Sequence, residues 1–184
     1  STDSPPRGMS ELPEGVSLPP ARAPKTRPSA SVMLSRESKG GHEILLGHRV
    51  SELPSFPDFW AFPGGGVSKV DMEASEDHPG WLDVDEEYGA ASFALLREMV
   101  EEVGLTPDGS GGIMSIEESI REEVCRDKGA WRKNVELGNI TTEGFHCEMI
   151  TDRTTPPFAP MRFQNFFFHV PTGDPGVNPT FPPG

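Results

Sequence analysis

The sequence has few cysteines, few basic residues and no long apolar run, and each shortage excludes a class of protein. Only two cysteines occur in 184 residues, Cys125 and Cys147, and they lack the close spacing of metal-ligand pairs. We therefore expect two reduced thiols and no disulfide framework. No apolar run approaches the ~20 residues of a membrane-spanning helix, and the N-terminal residues lack an apolar signal core. The sequence thus predicts a soluble cytoplasmic protein without a membrane partner.

Basic residues are outnumbered by acidic ones. The 16 Lys and Arg against 29 Asp and Glu leave a formal net charge of −13 and a pI near 4.7. A nucleic-acid binder needs a basic stripe to meet the phosphate backbone, so this balance argues against nucleic acid as a partner. An acidic protein can still bind a polyanionic small molecule when metal cations mediate the contact.

Apolar residues are also scarce at 34%, whereas 20 glycines and 20 prolines are present. This composition predicts that part of the chain is loop or disordered. Residues 1–27 are rich in proline and poor in large apolar side chains, so we expect a disordered N-terminal arm there. Residues 28–171 carry the patterned segments of one domain, and the turn-like residues 172–184 predict a flexible C-terminal segment.

Apolar patterning predicts both strands and helices in the domain. A helix is expected from about residue 90 to residue 103, ended by Gly104 as its C-terminal cap. Ser115 opens a capping-box pattern that predicts a second helix to about residue 127. A short helix is expected near 131–137, strands at 29–34, 43–49, 145–151 and 162–170, and an acidic surface loop at 69–88. This mixture predicts an α/β or α+β sandwich.

Three glutamates share one face of the helix at 90–103. At ~100° per residue, Glu98, Glu101 and Glu102 span an arc of roughly 100°. Glu98 and Glu102 are a like-charge pair one turn apart, and all three oppose the helix dipole near its C-terminal end. For a glutamate-rich helix considered alone, a solvated acidic face is the ordinary interpretation. A hard divalent cation would reverse the unfavourable electrostatics, because carboxylate oxygens are the ligands that Mg²⁺ and Mn²⁺ prefer.

The residues around these glutamates form a restrictive motif. Residues 97–105 read Arg-Glu-Met-Val-Glu-Glu-Val-Gly-Leu, and residues 62–67 read Phe-Pro-Gly-Gly-Gly-Val. The motif resembles the Nudix box, whose usual form is a Gly, five residues, Glu, seven residues, then Arg-Glu-aliphatic-x-Glu-Glu-x-Gly-aliphatic. The second half matches at every specified position. The first half departs from it, because 31 residues lie between Gly65 and Arg97.

The resemblance implies a Nudix-type α/β/α sandwich with a mixed β-sheet and an insertion inside the box at about 68–88. Counted back from Arg97, the first glutamate of the box is replaced by Gly89, with Glu86 or Glu87 as stand-ins. This insertion, together with residues 27–32 and 157–163, is similar to the Nudix branch that contains coenzyme A diphosphatases. The resemblance leaves open whether a C-terminal portion of the fold is missing.

The resemblance also implies an activity and its residues. Glu98, Glu101 and Glu102 would bind Mg²⁺ or Mn²⁺ with the backbone carbonyl of Gly65, and Arg97 would hold the glutamates. The implied enzyme is a diphosphatase that cleaves a nucleoside diphosphate linked to another moiety, with coenzyme A or acyl-CoA as the favoured substrate. The alternatives are ADP-ribose, dinucleotides or nucleotide sugars as substrates, or a catalytically silent Nudix-like binding module.

Further residues enter as weaker candidates. The general base is one of the helix glutamates, or an acid outside the box. The outside candidates are Glu143, Glu148 and Asp174. For contacts to the substrate, the candidates are Arg49, Trp60 and Arg162, since an aromatic ring can stack on a base and an arginine at a strand end can reach a phosphate. A homodimer is expected only by analogy with the family.

Overall fold

The computed structural model describes residues 23–48, 59–173 and 177–181. The elements within these ranges are the following. The strands are β1 (Arg27–Ser38), β2 (Gly41–Ile44), β3 (Gly47–His48), β4 (Trp60–Ala61), β5 (Gly64–Gly66), β6 (Leu105–Pro107), β7 (Ile113–Ser115), β8 (Glu148–Thr154) and β9 (Phe163–Pro171). The helices are α1 (Lys69–Asp77), α2 (Gly89–Glu98), α3 (Glu118–Arg126) and α4 (Gly129–Glu136). A 3₁₀ turn (Glu86–Tyr88) precedes α2, and a π-helical turn (Met99–Val103) continues it.

A mixed five-stranded sheet organises the domain. Its order is β2-β1-β9-β8, and β5 pairs with the first half of β1. The two central strands, β1 and β9, run parallel, whereas β2, β5 and β8 are antiparallel to their neighbours. The buried face of β1 alternates as Ala30, Val32 and Leu34, and these residues lie opposite the buried Phe166, Phe168 and Val170 of β9. The predicted α+β class with a mixed sheet is confirmed.

The most buried helix among the described residues is α2. Every residue from 91 to 100 is buried, because the helix packs on β1 on one side and on α1 on another. The predicted helix at 90–103 is therefore present, with the difference that its last turn is π-helical. Gly104 ends it at φ +68°, the left-handed conformation expected of a glycine cap.

The acidic segment after β5 is a helix, so the prediction of a surface loop at 69–88 is wrong for its first half. Ser68 accepts a hydrogen bond from the amide of Asp71, and the Asp71 carboxylate accepts one from the amide of Ser68. This capping box starts α1. The only buried residues of α1 are Asp71 and Ala74, so the helix lacks the apolar stripe by which sequence patterning detects helices.

The remainder of that segment is anchored by aromatic rings. Trp81 stacks on His78 with ring centroids 3.9 Å apart, and it packs against Phe93 of α2 and Trp131 of α4 at 6.0 and 6.3 Å. Trp81 therefore anchors the segment between α1 and α2 to the helices α2 and α4.

Other expectations differ in detail. The capping box at Ser115 does not form, because Ser115 ends β7 and α3 begins only at Glu118. The short strands β6 and β7 were not predicted. Both cysteines are free thiols, as expected. Residues 1–22 of the disordered arm predicted at 1–27 lie outside the described residues. Among the helices of the described ranges, none has the length and apolarity needed to cross a membrane.

Candidate active site

A fully buried arginine organises the end of α2. Arg97 is 0% exposed, and all five of its N–H donors have acceptors. Its Nε and Nη2 donate to the two oxygens of Asp71 at 2.9 and 3.0 Å, and Nη2 also donates to the carbonyl of Gly66 at 3.1 Å. Its Nη1 donates to Oε1 of Glu98 at 3.1 Å and to Oε1 of Glu101 at 2.8 Å. Arg97 therefore joins α1, β5 and two of the three predicted glutamates.

Asp71 is the residue that sequence reasoning missed. Glu86 and Glu87, named as stand-ins for the lost acid, are exposed in the 3₁₀ turn before α2, whereas Asp71 is 2% exposed and pairs with Arg97. The signal that was missed is the spacing counted forward from Gly65 instead of back from Arg97. Five residues separate Asp71 from Gly65, as five residues separate the first glutamate of the usual box from its glycine. The extra residues therefore follow Asp71, and an aspartate stands at the position where the usual box has its first glutamate.

The acidic face of α2 lies against the glycine strand β5. A Cβ atom at Gly65 would overlap the carboxylate of Glu98, and the amide of Gly64 donates to Oε2 of Glu102 at 3.2 Å. A Cβ at Gly64 would also overlap the backbone of β1 at Ala30. Glycine is thus required at these two positions, because β5 approaches β1 on one side and the glutamates of α2 on the other. This close packing brings the backbone of β5 to the glutamates.

The three glutamates differ in environment. Glu98 is only 7% exposed, and this burial raises its pKa to about 7, against the opposing effect of the Arg97 charge. Glu101 and Glu102 are half-buried. The carboxyl groups of the three glutamates and of Asp71 outnumber the single positive charge of Arg97, so the cluster carries excess negative charge. The glutamates also lie at the C-terminal, negative end of the helix.

The donor set fits a hard divalent cation. Carboxylate oxygens and a backbone carbonyl are the ligands that Mg²⁺ and Mn²⁺ take in proteins. Arg97 contacts Oε1 of Glu98 and of Glu101, so each group has a second oxygen for another ligand. Within the described residues, no three His, Cys, Asp or Glu side chains already surround a common point for a metal ion. Binding would therefore require the glutamates to turn towards one ion.

The candidate substrate contacts have varied surroundings. Trp60 is 66% exposed on β4 and packs against the ring of His48 at 5.0 Å. Arg162 donates to the carbonyls of Thr155 and Pro24, so it ties together two loops beside β9. Arg49 and the candidate base Asp174 lie outside the described residues. The other candidate bases, Glu143 and Glu148, are exposed. Their roles stay predictions.

Comparison with known proteins identifies the fold. No family model and no curated protein matches the sequence. A Nudix hydrolase from Alicyclobacillus acidocaldarius has a similar structure, with a TM-score of 0.72 and 22% identity over 86% of this chain and 75% of the other.

Two further structures are less similar. A Nudix hydrolase from M. smegmatis has a TM-score of 0.41 and 13% identity, over 85% of this chain and 65% of the other. A MutT/Nudix family protein from Enterococcus faecalis has a TM-score of 0.43 and 16% identity, over 94% and 46%. The fold assignment therefore rests on the first structure, and it agrees with the mixed sheet and the buried helix described above. The chain has the Nudix fold.

Proposed function

We propose that this protein is a metal-dependent hydrolase that cleaves the diphosphate bond of a nucleoside diphosphate linked to another moiety. The observation that carries the proposal is the five-donor network of Arg97, which holds Glu98 and Glu101 against the glycine strand β5. A buried arginine surrounded by several carboxylates beside the glycine strand is costly to maintain as mere structure. It is well suited to a site in which carboxylates must keep a defined arrangement.

The glutamates and one backbone carbonyl would hold the metal. Glu98, Glu101 and Glu102, with the carbonyl of Gly65, would bind Mg²⁺ or Mn²⁺. When bound, such an ion neutralises phosphate oxygens and lowers the pKa of water to make a nucleophile at neutral pH. The reaction is attack of water on one phosphorus, which breaks the P–O bond of the anhydride.

Arg97 and Asp71 would act as positioning residues. The bidentate contact to Asp71 fixes the plane of the guanidinium, and its remaining donors fix Glu98 and Glu101. The proton released by water would pass to one of the helix glutamates or to an acid outside the box, with Glu143, Glu148 and Asp174 as the candidates.

For the substrate we propose coenzyme A or an acyl-CoA. The support is the sequence resemblance of the stretched box and of residues 27–32 and 157–163 to the branch that contains coenzyme A diphosphatases. ADP-ribose, a dinucleotide or a nucleotide sugar are the alternatives, because the box holds the diphosphate and the metal and not the attached group. Trp60, Arg49 and Arg162 are the proposed contacts to that group. The homodimer and the cytoplasmic location stay predictions.

A catalytically silent Nudix-like binding module is the second candidate. The observation in its favour is that, in the part of the chain that the structure describes, the carboxylates are not already gathered around one point. The retention of all three glutamates and of their arginine favours the enzyme.

A product screen distinguishes among the substrates and between the enzyme and the binding module. The purified chain is incubated with Mg²⁺ or Mn²⁺ and with coenzyme A, ADP-ribose or a diadenosine polyphosphate, and the products are separated by chromatography. We expect metal-dependent cleavage of the diphosphate, fastest with coenzyme A. Metal-dependent stabilisation without turnover of any substrate would contradict the enzymatic proposals and favour the binding module.

A further inference from the structure

The end of the helix that carries the glutamates is capped from outside. The last carbonyls of a helix have no partner within it and need other donors. The carbonyl of Val103 accepts from the amide of Thr180 at 2.9 Å, and that of Gly104 accepts from the amide of Ile116 at 2.9 Å. The carbonyl of Glu101 accepts from the side chain of Arg121 on α3. The π-helical turn that holds Glu101 and Glu102 therefore depends on three separate parts of the chain.

Arg121 is the central residue of this cap. It is 5% exposed, and its Nε and Nη2 donate to the carbonyl of Glu101 at 3.3 and 3.1 Å. Its Nη1 and Nη2 donate to Oγ1 and the carbonyl of Thr180, both at 2.7 Å. Among the described residues, its hydrogen bonds all end on neutral oxygens. The buried guanidinium of Arg121 is stabilised in this position by the negative end of the helix dipole.

Gly104 leaves the space that the cap needs. Its φ of +68° disfavours any side chain, and a Cβ there would lie 2.9 Å from both Nη1 of Arg121 and Oγ1 of Thr180. The glycine that ends the motif therefore serves two purposes, the turn of the backbone and the entry of the guanidinium.

Glu101 is consequently held at both ends. Its carboxylate accepts from Arg97 at 2.8 Å, and its backbone carbonyl accepts from Arg121 at 3.1 Å. The two arginines come from different helices and are both buried. With its backbone carbonyl and its Oε1 both held, Glu101 stays on the face that it shares with Glu98, while its second carboxylate oxygen can turn towards an ion.

We propose that Arg121 is a positioning residue for the metal-binding glutamates, and that Thr180 completes its hydrogen bonding. The proposal rests on the proposed function, since it assigns Arg121 to the same site. Loss of the cap would let the π-helical turn relax, and displacements of about 1 Å at a catalytic group can cost roughly 100-fold in rate.

The test compares Arg121→Met, Arg121→Lys and Thr180→Val with the control Arg126→Met. Arg126 lies on the same helix, is exposed, and donates only within α3 to the carbonyl of Glu122 among the described residues. The measurements are the Mn²⁺ dissociation constant from the electron paramagnetic resonance signal of free Mn²⁺, hydrogen exchange of peptides covering residues 96–105 in metal-free protein, and kcat and KM with the best substrate of the screen.

We expect Arg121→Met to weaken Mn²⁺ binding about 10-fold, to speed exchange in residues 96–105, and to lower kcat by about 10- to 100-fold with KM changed less than about threefold. Arg121→Lys keeps the charge and one donor, so it should recover part of the Mn²⁺ affinity. Thr180→Val should show a smaller loss, and Arg126→Met should equal the wild type. If Arg121→Met does not fold, the Lys and Val variants carry the test.

The proposal would be overturned if the folded Arg121 variants bound Mn²⁺ and exchanged their amide hydrogens as the wild type does. It would also be overturned if Arg126→Met lost as much Mn²⁺ affinity as they do. Either result would leave the proposed function intact. If the wild type turns over no substrate but binds Mn²⁺ in an Arg121-dependent way, the proposed catalysis fails and the positioning role stands. Absence of Mn²⁺ binding in the wild type would overturn both.

Discussion

At the scale of single residues, the site is a balance of buried charges. Arg97 and Asp71 are almost fully buried, Glu98 nearly so, and each finds its partners within the cluster. Breaking one partner of such a group leaves an uncompensated buried charge, which is costly. The half-buried Glu101 and Glu102 are the members whose charge can be changed with least effect on folding.

Glu101→Gln and Glu102→Gln are therefore expected to separate activity from stability. Each should lower metal-dependent turnover by about 100-fold or more, because a carboxylate proposed to bind the metal is lost. The far-ultraviolet circular dichroism should be retained. The matched control is Glu122→Gln, an exposed glutamate on α3. Full activity in the Glu101 and Glu102 variants would show that the metal site has been misassigned.

The two thiols should differ in reactivity. Burial raises the pKa of Cys147 to about 11, with a hydrogen bond to Ser92 opposing the shift, whereas Cys125 is exposed and its pKa is raised chiefly by burial of lesser extent. At pH 8 a thiol of pKa about 11 is thiolate in roughly one molecule in a thousand, and the thiolate is the reactive form. Alkylation followed by peptide mass spectrometry should label Cys125 first.

The sign of the pH dependence follows from the same shift. Because the folded pKa of Cys147 lies above its ordinary value, its contribution to stability is present below that ordinary value and is lost as the pH rises towards 11. Labelling of Cys147 should therefore keep increasing up to about pH 11. Equal labelling of both thiols in native protein at pH 8, with a denatured control that labels both, would contradict the burial of Cys147.

At the scale of elements, the site is built by α1 and α2 meeting at β5. α1 begins with a capping box whose acid, Asp71, also accepts from Arg97. One carboxylate therefore starts one helix and holds the arginine of another. Sequence patterning did not predict α1, because its buried positions are an aspartate and an alanine instead of large apolar side chains.

Asp71→Asn should be strongly destabilising. The substitution removes one partner of a buried ion pair, for which losses of about 3–5 kcal/mol in the free energy of unfolding are typical. Urea denaturation measures the change. The control is Asp77→Asn on the same helix, whose carboxylate pairs with Arg132 at 2.9 Å but is 58% exposed, so a loss below about 1 kcal/mol is expected. Similar losses in both variants would contradict the role given to Asp71.

At the scale of the whole molecule, segments distant in the chain converge on the end of α2. The predicted flexible segment at 172–184 includes Thr180, which donates to Val103 and accepts from Arg121. Residues 174–176 and 182–184 of that segment lie outside the described part. The net charge of −13 makes the molecule attract cations in general, so specific metal binding must be distinguished from screening.

Mn²⁺ or Mg²⁺ should raise the melting temperature of the whole domain. A ligand at 100 times its Kd stabilises the folded state by about 2.7 kcal/mol, which for a domain of this size corresponds to roughly 5–10 °C. Calorimetry with and without the metal, at matched ionic strength in KCl, measures the shift. Glu98→Gln should remove most of the increase. An unchanged increase in that variant would place the cation elsewhere on the acidic surface.

The sequence by itself determined the helix with its three glutamates, its glycine cap and the mixed character of the fold. These features follow from local spacing, because carboxylates three and four residues apart share a helical face and a glycine adopts a positive φ without strain. Only the tertiary structure decided which acid holds Arg97 and which donors cap Glu101. Asp71 is 26 residues from Arg97, and Thr180 is 59 residues from Arg121. Such partners are selected by packing across the chain and not by a helical or strand period, although the spacing of Asp71 from Gly65 was a signal in the sequence for the first of them.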